Sequence, residues 1–241
     1  MLQSRIRTQE EQAAYMKELK SWLAEAREIP AEGMADFFTA RLDQYDDVHL
    51  RNWGEEYAHI ADYFDDRLTT LLDIGCGTGL ELDALYRRFP GLKITGVDLS
   101  ADMLGWLREK YAGREIRLIQ GDYFTCSFGE GGYDAALSFE TLHHFPYEKK
   151  QAVYDRLYGV IRKGGCYIEC DYIACCQEEE DLCLEGYRYR RERDGVPEDG
   201  FVHIDIPLTL EHQLELMGNA GFRKAKVLYQ NEGTMVIRAE K

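Results

Sequence analysis

The ten residues from Leu71 to Leu80, Leu-Leu-Asp-Ile-Gly-Cys-Gly-Thr-Gly-Leu, constrain this chain more than any others. The apolar start predicts a buried strand, and the amphipathic stretch beyond Leu80 predicts a helix. Gly75, Gly77 and Gly79 between them permit positive φ and let a ligand approach the backbone closely. Such a turn sits at a strand's carboxyl end, where free N–H groups at the helix start favour a polar or anionic group. Dinucleotide sites want their third glycine one residue later, and here Leu80 stands in that place, which weakens a nicotinamide reading. Asp73 would also repel a doubly negative pyrophosphate, whereas it suits an ammonium group. A zwitterionic amino-acid moiety therefore fits Asp73, Gly75, Cys76, Gly77 and Gly79.

Short apolar runs at 69–74, 92–97, 115–120, 133–139 and 165–173 alternate with amphipathic stretches, the rhythm of βαβ units. Runs that are apolar at nearly every position suit strands buried on both faces, hence a mainly parallel sheet covered by helices. A helix from Thr209 to Ala220 and two strands, 222–229 and 234–239, joined at Asn231-Glu232-Gly233, close the pattern. Before the sheet, apolar positions at Leu19, Trp22, Leu23 and Ala26 predict an amphipathic helix stopped by Pro30. A second helical stretch carries Phe37, Phe38 and Leu42, and a third, Trp53 to Phe64, places Tyr57, Ile60 and Phe64 on one face. Tyr45 to His49 reads as a polar loop between them. Residues 171–206 break the rhythm with acidic and then Arg/Tyr-rich stretches and read as an inserted lid. The expected organisation is a helical cap, 1–67, and an α/β domain, 68–241, with a lid over 174–206.

Two further strand ends carry chemistry. Asp98 closes the second apolar run, where a carboxylate accepts both ribose hydroxyls, and Leu99 and Met103 supply apolar walls. Asp122 after the third run can accept an adenine amino group, and Tyr123 can flank the ring.

Taken in order with Tyr133 to Ser138 and Leu142-His143-His144-Phe145, these motifs resemble the class I S-adenosylmethionine-dependent methyltransferases over roughly residues 68–240. The resemblance implies a three-layer, Rossmann-like, seven-stranded sheet whose last strand is antiparallel. It implies that Asp73 and the glycine turn hold the methionine part of the donor, Asp98 the ribose, and Asp122 with Tyr123 the adenine. Ser138 would lie under the sulfonium. The stretch Phe37 to Tyr45, with Asp205 to Thr209 and Ala220-Gly221-Phe222, resembles bacterial members that include small-molecule enzymes and relatives of the tRNA wobble-uridine enzymes. Those using a carboxylated donor need a dedicated arginine, which is not assignable among Arg188, Arg190, Arg191 and Arg193, so ordinary S-adenosylmethionine, leaving as S-adenosylhomocysteine, is expected. Transfer is an in-line displacement at an activated methyl, and a base is needed only for a protonated acceptor. A neutral histidine is the natural choice, and His143 is the candidate. Tyr45, His49, His144 and Tyr189 are the candidates for contacting the acceptor.

Charge bears on the partner. The chain's 241 residues carry 29 basic and 44 acidic side chains, net −15, which disfavours phosphate backbones. Segments 1–70, with eight basic and fifteen acidic residues, and 171–206, with four and eleven, each carry −7. A small acceptor, neutral or cationic, is therefore expected, with an RNA base as the alternative target. A donor-binding regulator without chemistry and an NAD-binding oxidoreductase are alternatives from other classes. No apolar run reaches the length of a membrane span, and the reading is cytoplasmic. Seven cysteines, five of them between Cys166 and Cys183, show no paired Cys-x-x-Cys knuckles, so reduced thiols and no metal are expected. The oligomeric state is left open.

Overall fold

The computed structural model describes residues 2–241. Seven strands form its central sheet: β1 (Thr70–Ile74), β2 (Lys93–Asp98), β3 (Ile116–Gln120), β4 (Tyr133–Phe139), β5 (Ile161–Tyr172), β6 (Arg223–Asn231) and β7 (Thr234–Glu240). Their order is β3-β2-β1-β4-β5-β7-β6. Pairings among β1 to β5 are parallel, and β7 is antiparallel to both of its neighbours. Leu71, Leu72 and Ile74 of β1 are fully buried, as expected for a strand with both faces covered.

One face packs on α4 (Leu82–Arg88) and α5 (Ala101–Lys110) through Leu82, Leu85, Leu104 and Leu107. The other packs on α6 (Tyr147–Val160) and α8 (Leu210–Asn219) through Val153, Leu157, Leu216 and Met217. This is the expected three-layer α/β architecture. Chain order reverses between β1 and β4, and ligands bind outside the strands' carboxyl ends at such a point.

Before the sheet come α1 (Gln9–Ala26), α2 (Met34–Ala40) and α3 (Leu42–His59). Thr8 and Glu11 cap α1 reciprocally. Its buried positions are Met16 and Ala26, while Trp22, expected on the packed face, is 51% exposed. The expected loop at Tyr45–His49 is corrected: these residues lie inside α3. Read alone they are polar, but Arg41, Tyr45, His49 and Trp53 recur every four residues, the spacing of one helix face. The helix kinks at Trp53 (φ −130°, ψ 22°).

After β5, α7 (Gln177–Arg193) packs on α1, and the chain then runs without regular structure to α8. Arg190, Arg191 and Arg193 donate chiefly to backbone carbonyls, of Ile29 and Pro30, of Pro197 to Gly200, and of Arg27 and Ile29 respectively. They tie α7 to the segments flanking it rather than gripping an acceptor. Residues 32–34 pair with 201–203 (Met34 N–H to Phe201 O, 3.0 Å; His203 N–H to Glu32 O, 3.0 Å), and the Ile206 N–H donates to His143 O at 2.7 Å. Those bonds carry Asp205 to the sheet edge. Among the described residues, no helix is long and apolar enough to cross a membrane.

Candidate active site

The glycine turn is held by Gly75 N–H and Cys76 N–H, both donating to Val97 O at 2.8 and 3.2 Å. Gly75, Gly77 and Gly79 all have positive φ. At Gly75 the requirement is steric as well, because a Cβ there would stand 2.2 Å from Thr141 Oγ1. Tyr45 covers the turn from α3, its hydroxyl 3.2 Å from where a Gly77 Cβ would lie, and Asp46 accepts from Thr78 Oγ1 at 2.5 Å. Asp98 Oδ2 accepts from Gly77 N–H (3.0 Å) and Oδ1 from Ser100 N–H (2.8 Å).

Beneath the turn lie two carboxylates with almost no access to water, Asp73 at 1% and Glu81 at 4% exposed. Asp73 Oδ2 and Glu81 Oε1 have no hydrogen-bond partner. Burial, and then the neighbouring Glu81 charge, push Asp73 well above the usual carboxylate range, and burial raises Glu81 to about 7. The two carboxyls have only a proton shared between them as donor, and ionising both in this enclosed place is costly. The pair is complementary to an ammonium group, so the residues present fit the amino-acid end of the donor. Cations favour the ionised carboxylate, so donor binding should release protons. Between pH 6 and 8, affinity for S-adenosylhomocysteine is expected to rise with pH, by up to about tenfold per unit for each proton released. Calorimetry in buffers of different ionisation enthalpy checks both; affinity flat across that range would remove the carboxylate pair from donor binding.

A small cavity of about 50 Å³ beside Asp98 is lined by Gly75, Leu99, Tyr123, Thr141, His144 and Phe145, with Met34, Ala35 and Phe38 of α2 over it. Next to it lies a larger one, about 300 Å³, within the range of small-molecule sites. Phe38 and His144 line both. The larger cavity's walls are aromatic. Phe37 stacks on His203 (centroids 3.5 Å), Tyr45 on His49 (4.0 Å), and Trp53 stands 5.0 Å from His49.

Its floor is charged. His143 Nδ1 hydrogen-bonds Asp171 Oδ1, and Asp171 Oδ2 accepts from Leu142 N–H at 2.8 Å. His143 Nε2 lies 3.6 Å and His144 Nδ1 3.1 Å from Asp205 Oδ1, yet His144 Nδ1 and that oxygen are not aligned for a hydrogen bond. Burial disfavours the His143 charge, but Asp171, with Asp205 and Glu140, outweighs it and raises His143 to about 9. Burial and the His143 charge hold His144 down, and burial lowers His49 to about 4 and His203 to about 3. The expected neutrality of His143 is therefore corrected: at pH 7 it is the imidazolium, and the three histidines around it are neutral. Glu140 sits at φ +47°, a strained conformation of the kind that collects at functional sites. Burial raises its carboxyl well above the usual range. His143, His144 and Asp205 bring ligand-capable atoms within 4.8 Å of one another, as do Glu140, His143 and Asp171, so these are the sets a divalent ion would use. The His143 imidazolium already offsets part of the negative charge there.

Of the residues expected from sequence, Gly75, Asp98, Leu99, Tyr123, Tyr45, His49, His143 and His144 meet at the two adjoining cavities. Gly77, Gly79 and Cys76 shape the turn, and the Cys76 Sγ packs towards Gly96. Asp73 lies beneath the turn without lining either cavity, and four others are placed away from both. Ser138 is fully buried with its hydroxyl 2.6 Å from Tyr167 OH, so its side chain points into the protein. Met103 is buried at the start of α5. Asp122 caps its own turn, accepting from Phe124 N–H (2.7 Å) and Thr125 Oγ1 (3.2 Å). Tyr189 packs under Arg27 on the outer face of α7. Sequence reasoning missed Glu81, Glu140, Asp171, His203 and Asp205 as site residues. Only His203-x-Asp205 left a local signal, two site-type residues at alternate positions in the lid.

Residues 71–165 match the family described as Methyltransferase domain. An uncharacterised methyltransferase of Mycobacterium tuberculosis is 36% identical over 95 residues, 39% of this chain and 46% of that protein. A carboxy-S-adenosyl-L-methionine synthase of Chromohalobacter salexigens is 28% identical over 172 residues, 66% of this chain and 63% of that protein. The matches thus span about half to two-thirds of those relatives' own length. Human N-acetylserotonin methyltransferase, solved in complex with SAM, superposes with a TM-score of 0.66 at 20% identity, covering 92% of this chain and 66% of that one. Residues 71–165 are thus similar to methyltransferase domains, and the fold of the chain is the one seen in solved S-adenosylmethionine-dependent methyltransferases.

Proposed function

We propose that this chain is an S-adenosylmethionine-dependent methyltransferase whose acceptor is a small aromatic molecule, neutral or cationic, carrying a hydroxyl or amine. The observation that carries the reading is the adjacency of two chambers: one joined to a glycine turn over unpartnered carboxylates, the other an aromatic cavity floored by His143. When bound, S-adenosylmethionine supplies a methyl group activated by its sulfonium, and S-adenosylhomocysteine is left. Asp73 and Glu81 receive the donor's ammonium, Asp98 its ribose hydroxyls, and Tyr123 with Leu99 walls its adenine. Phe37, Phe38 and Trp53 hold the acceptor ring and exclude water. Asp171 fixes the His143 ring, and once that ring has lost its own proton, as it does increasingly towards pH 9, Nε2 takes the acceptor proton as the acceptor lone pair displaces the departing sulfur. Carbonyl-bound arginines and a net charge of −15 argue against an RNA base as acceptor. A cytoplasmic location belongs to the same proposal, supported by seven free cysteines.

Incubating the protein with methyl-labelled donor and a pool of small phenols and amines is expected to move label into a product below the size of protein or nucleic acid. Label found only in RNA would replace the acceptor assignment. Donor binding without transfer to any fraction of a cell extract would favour a regulator.

A further inference from the structure

Three sulfur atoms meet where α1 packs against the start of α7. Met16 Sδ lies 3.7 Å from Cys175 Sγ and 3.9 Å from Cys176 Sγ, and the two cysteine sulfurs are 3.8 Å apart. Met16 is 7% exposed and both cysteines are half-buried. A metal at the centre of a sulfur triangle with bonds of about 2.3 Å requires edges of about 4.0 Å. The observed edges, all within 0.3 Å of that, leave room for such an ion with almost no movement. We infer that Met16, Cys175 and Cys176 form a three-coordinate site for copper(I).

The ligand set decides the metal. Two thiols and a thioether are soft donors, which select a soft monovalent ion, whereas zinc in structural sites wants a fourth ligand in a tetrahedron. Access comes through an open groove lined by Met16 and Cys176 with Gln9, Gln12, Lys17 and Lys20. Two thiolates around one monovalent cation leave a net charge of −1, which Lys17 in that groove is suited to offset, whereas Lys20 is paired there with Glu178 at 2.7 Å. The surroundings are built. Glu179 accepts from Cys175 N–H at 2.6 Å and from the Tyr15 and Tyr172 hydroxyls, which hold α1, the end of β5 and the start of α7 in register. Binding replaces the two S–H protons by metal–sulfur bonds, releasing two protons and changing no oxidation state, so occupancy strengthens as pH rises. The bound ion joins α1 to α7 without touching the His143 floor, and the inference is independent of the proposed methyl transfer.

Anaerobic titration of the fully reduced protein with copper(I), against a colorimetric copper(I) chelator, tests it. Cys126 is half-buried and must be controlled with Cys126→Ser, since the four remaining cysteines are buried. Wild type and Cys126→Ser are expected to bind one tight equivalent that a Cys175→Ser/Cys176→Ser variant lacks. X-ray absorption is expected to show three sulfurs at about 2.3 Å. Met16→Leu should weaken the equivalent by about tenfold and reduce the shell to two sulfurs. The thermal midpoint of the loaded wild type should rise above that of the metal-free protein and stay unchanged in the double variant, whose metal-free melting shows that it folds. Retention of the equivalent by the double variant would overturn the site, as would a two-sulfur shell in wild type, undiminished affinity in Met16→Leu, or equal affinity for zinc.

Discussion

Asp73→Asn is expected to weaken S-adenosylmethionine binding by about 100-fold, or about 2.7 kcal/mol, while making the donor-free protein more stable at neutral and alkaline pH. The two effects have one cause. Asp73 is buried with an unpartnered oxygen, and its carboxyl is raised well above its ordinary 3.8. The folded state thus binds a proton more readily than the unfolded one, so this group's contribution is greatest at low pH and falls as pH rises from about 4 towards its elevated folded value. A neutral amide of the same shape removes that penalty, and with it the charge that meets the donor's ammonium. Calorimetric affinity together with thermal melting at pH 6 and 8 measures both. Weaker binding accompanied by lower stability at pH 8 would mean that Asp73 holds the fold rather than the ligand.

His143→Gln is expected to lower kcat by 10²- to 10⁴-fold, the usual contribution of a positioned base, while leaving donor affinity within about twofold. Because His143 sits at about 9, turnover with a phenol or amine acceptor should climb through pH 7–9 as the ring loses its proton. Asp171→Asn removes the first of the charges that raise it, so that limb should move down towards 6.5, with kcat reduced more than KM is changed. Asp171 is a positioning residue, and a shift of the pH profile separates its role from simple destabilisation. The same pair has a signature in stability: its contribution is fully present between about 4 and 6.5, is lost as pH rises through about 9, and is lost again in acid as Asp171 protonates below its ordinary value. A pH–rate profile flat from 7 to 9, or a variant with unchanged kcat, would remove His143 from the chemistry.

The strands were legible because burial on both faces writes itself into local sequence: Leu71 to Ile74 and Ala135 to Phe139 have almost no polar positions. β5 begins four residues earlier than its apolar core suggests, since Arg162, Lys163 and Gly164 carry the chain through a register shift opposite Tyr133. The glycine turn was legible for the converse reason, that its φ values admit little else. The acceptor side was not. The continuity of α3 is hidden because five of its residues look like a loop in isolation, although their period across a longer window is helical. Asp205 reaches His143 only through the pairing of 32–34 with 201–203 and the bond from Ile206, which are tertiary facts with no local trace. Ser138 and Met103 stood at the right places in the order of motifs, but side-chain direction at a strand end and a helix start is set by packing.

Phe38 and His144 are party walls, each presenting one surface to the small chamber and another to the large one. An alteration made there to admit a bulkier acceptor also reshapes the seat of the nucleoside, so selectivity for one guest and grip on the other are not separately adjustable at these positions. Positions that face a single room, such as Asn52 or Val48 on the acceptor side, are where specificity can drift without loosening the donor.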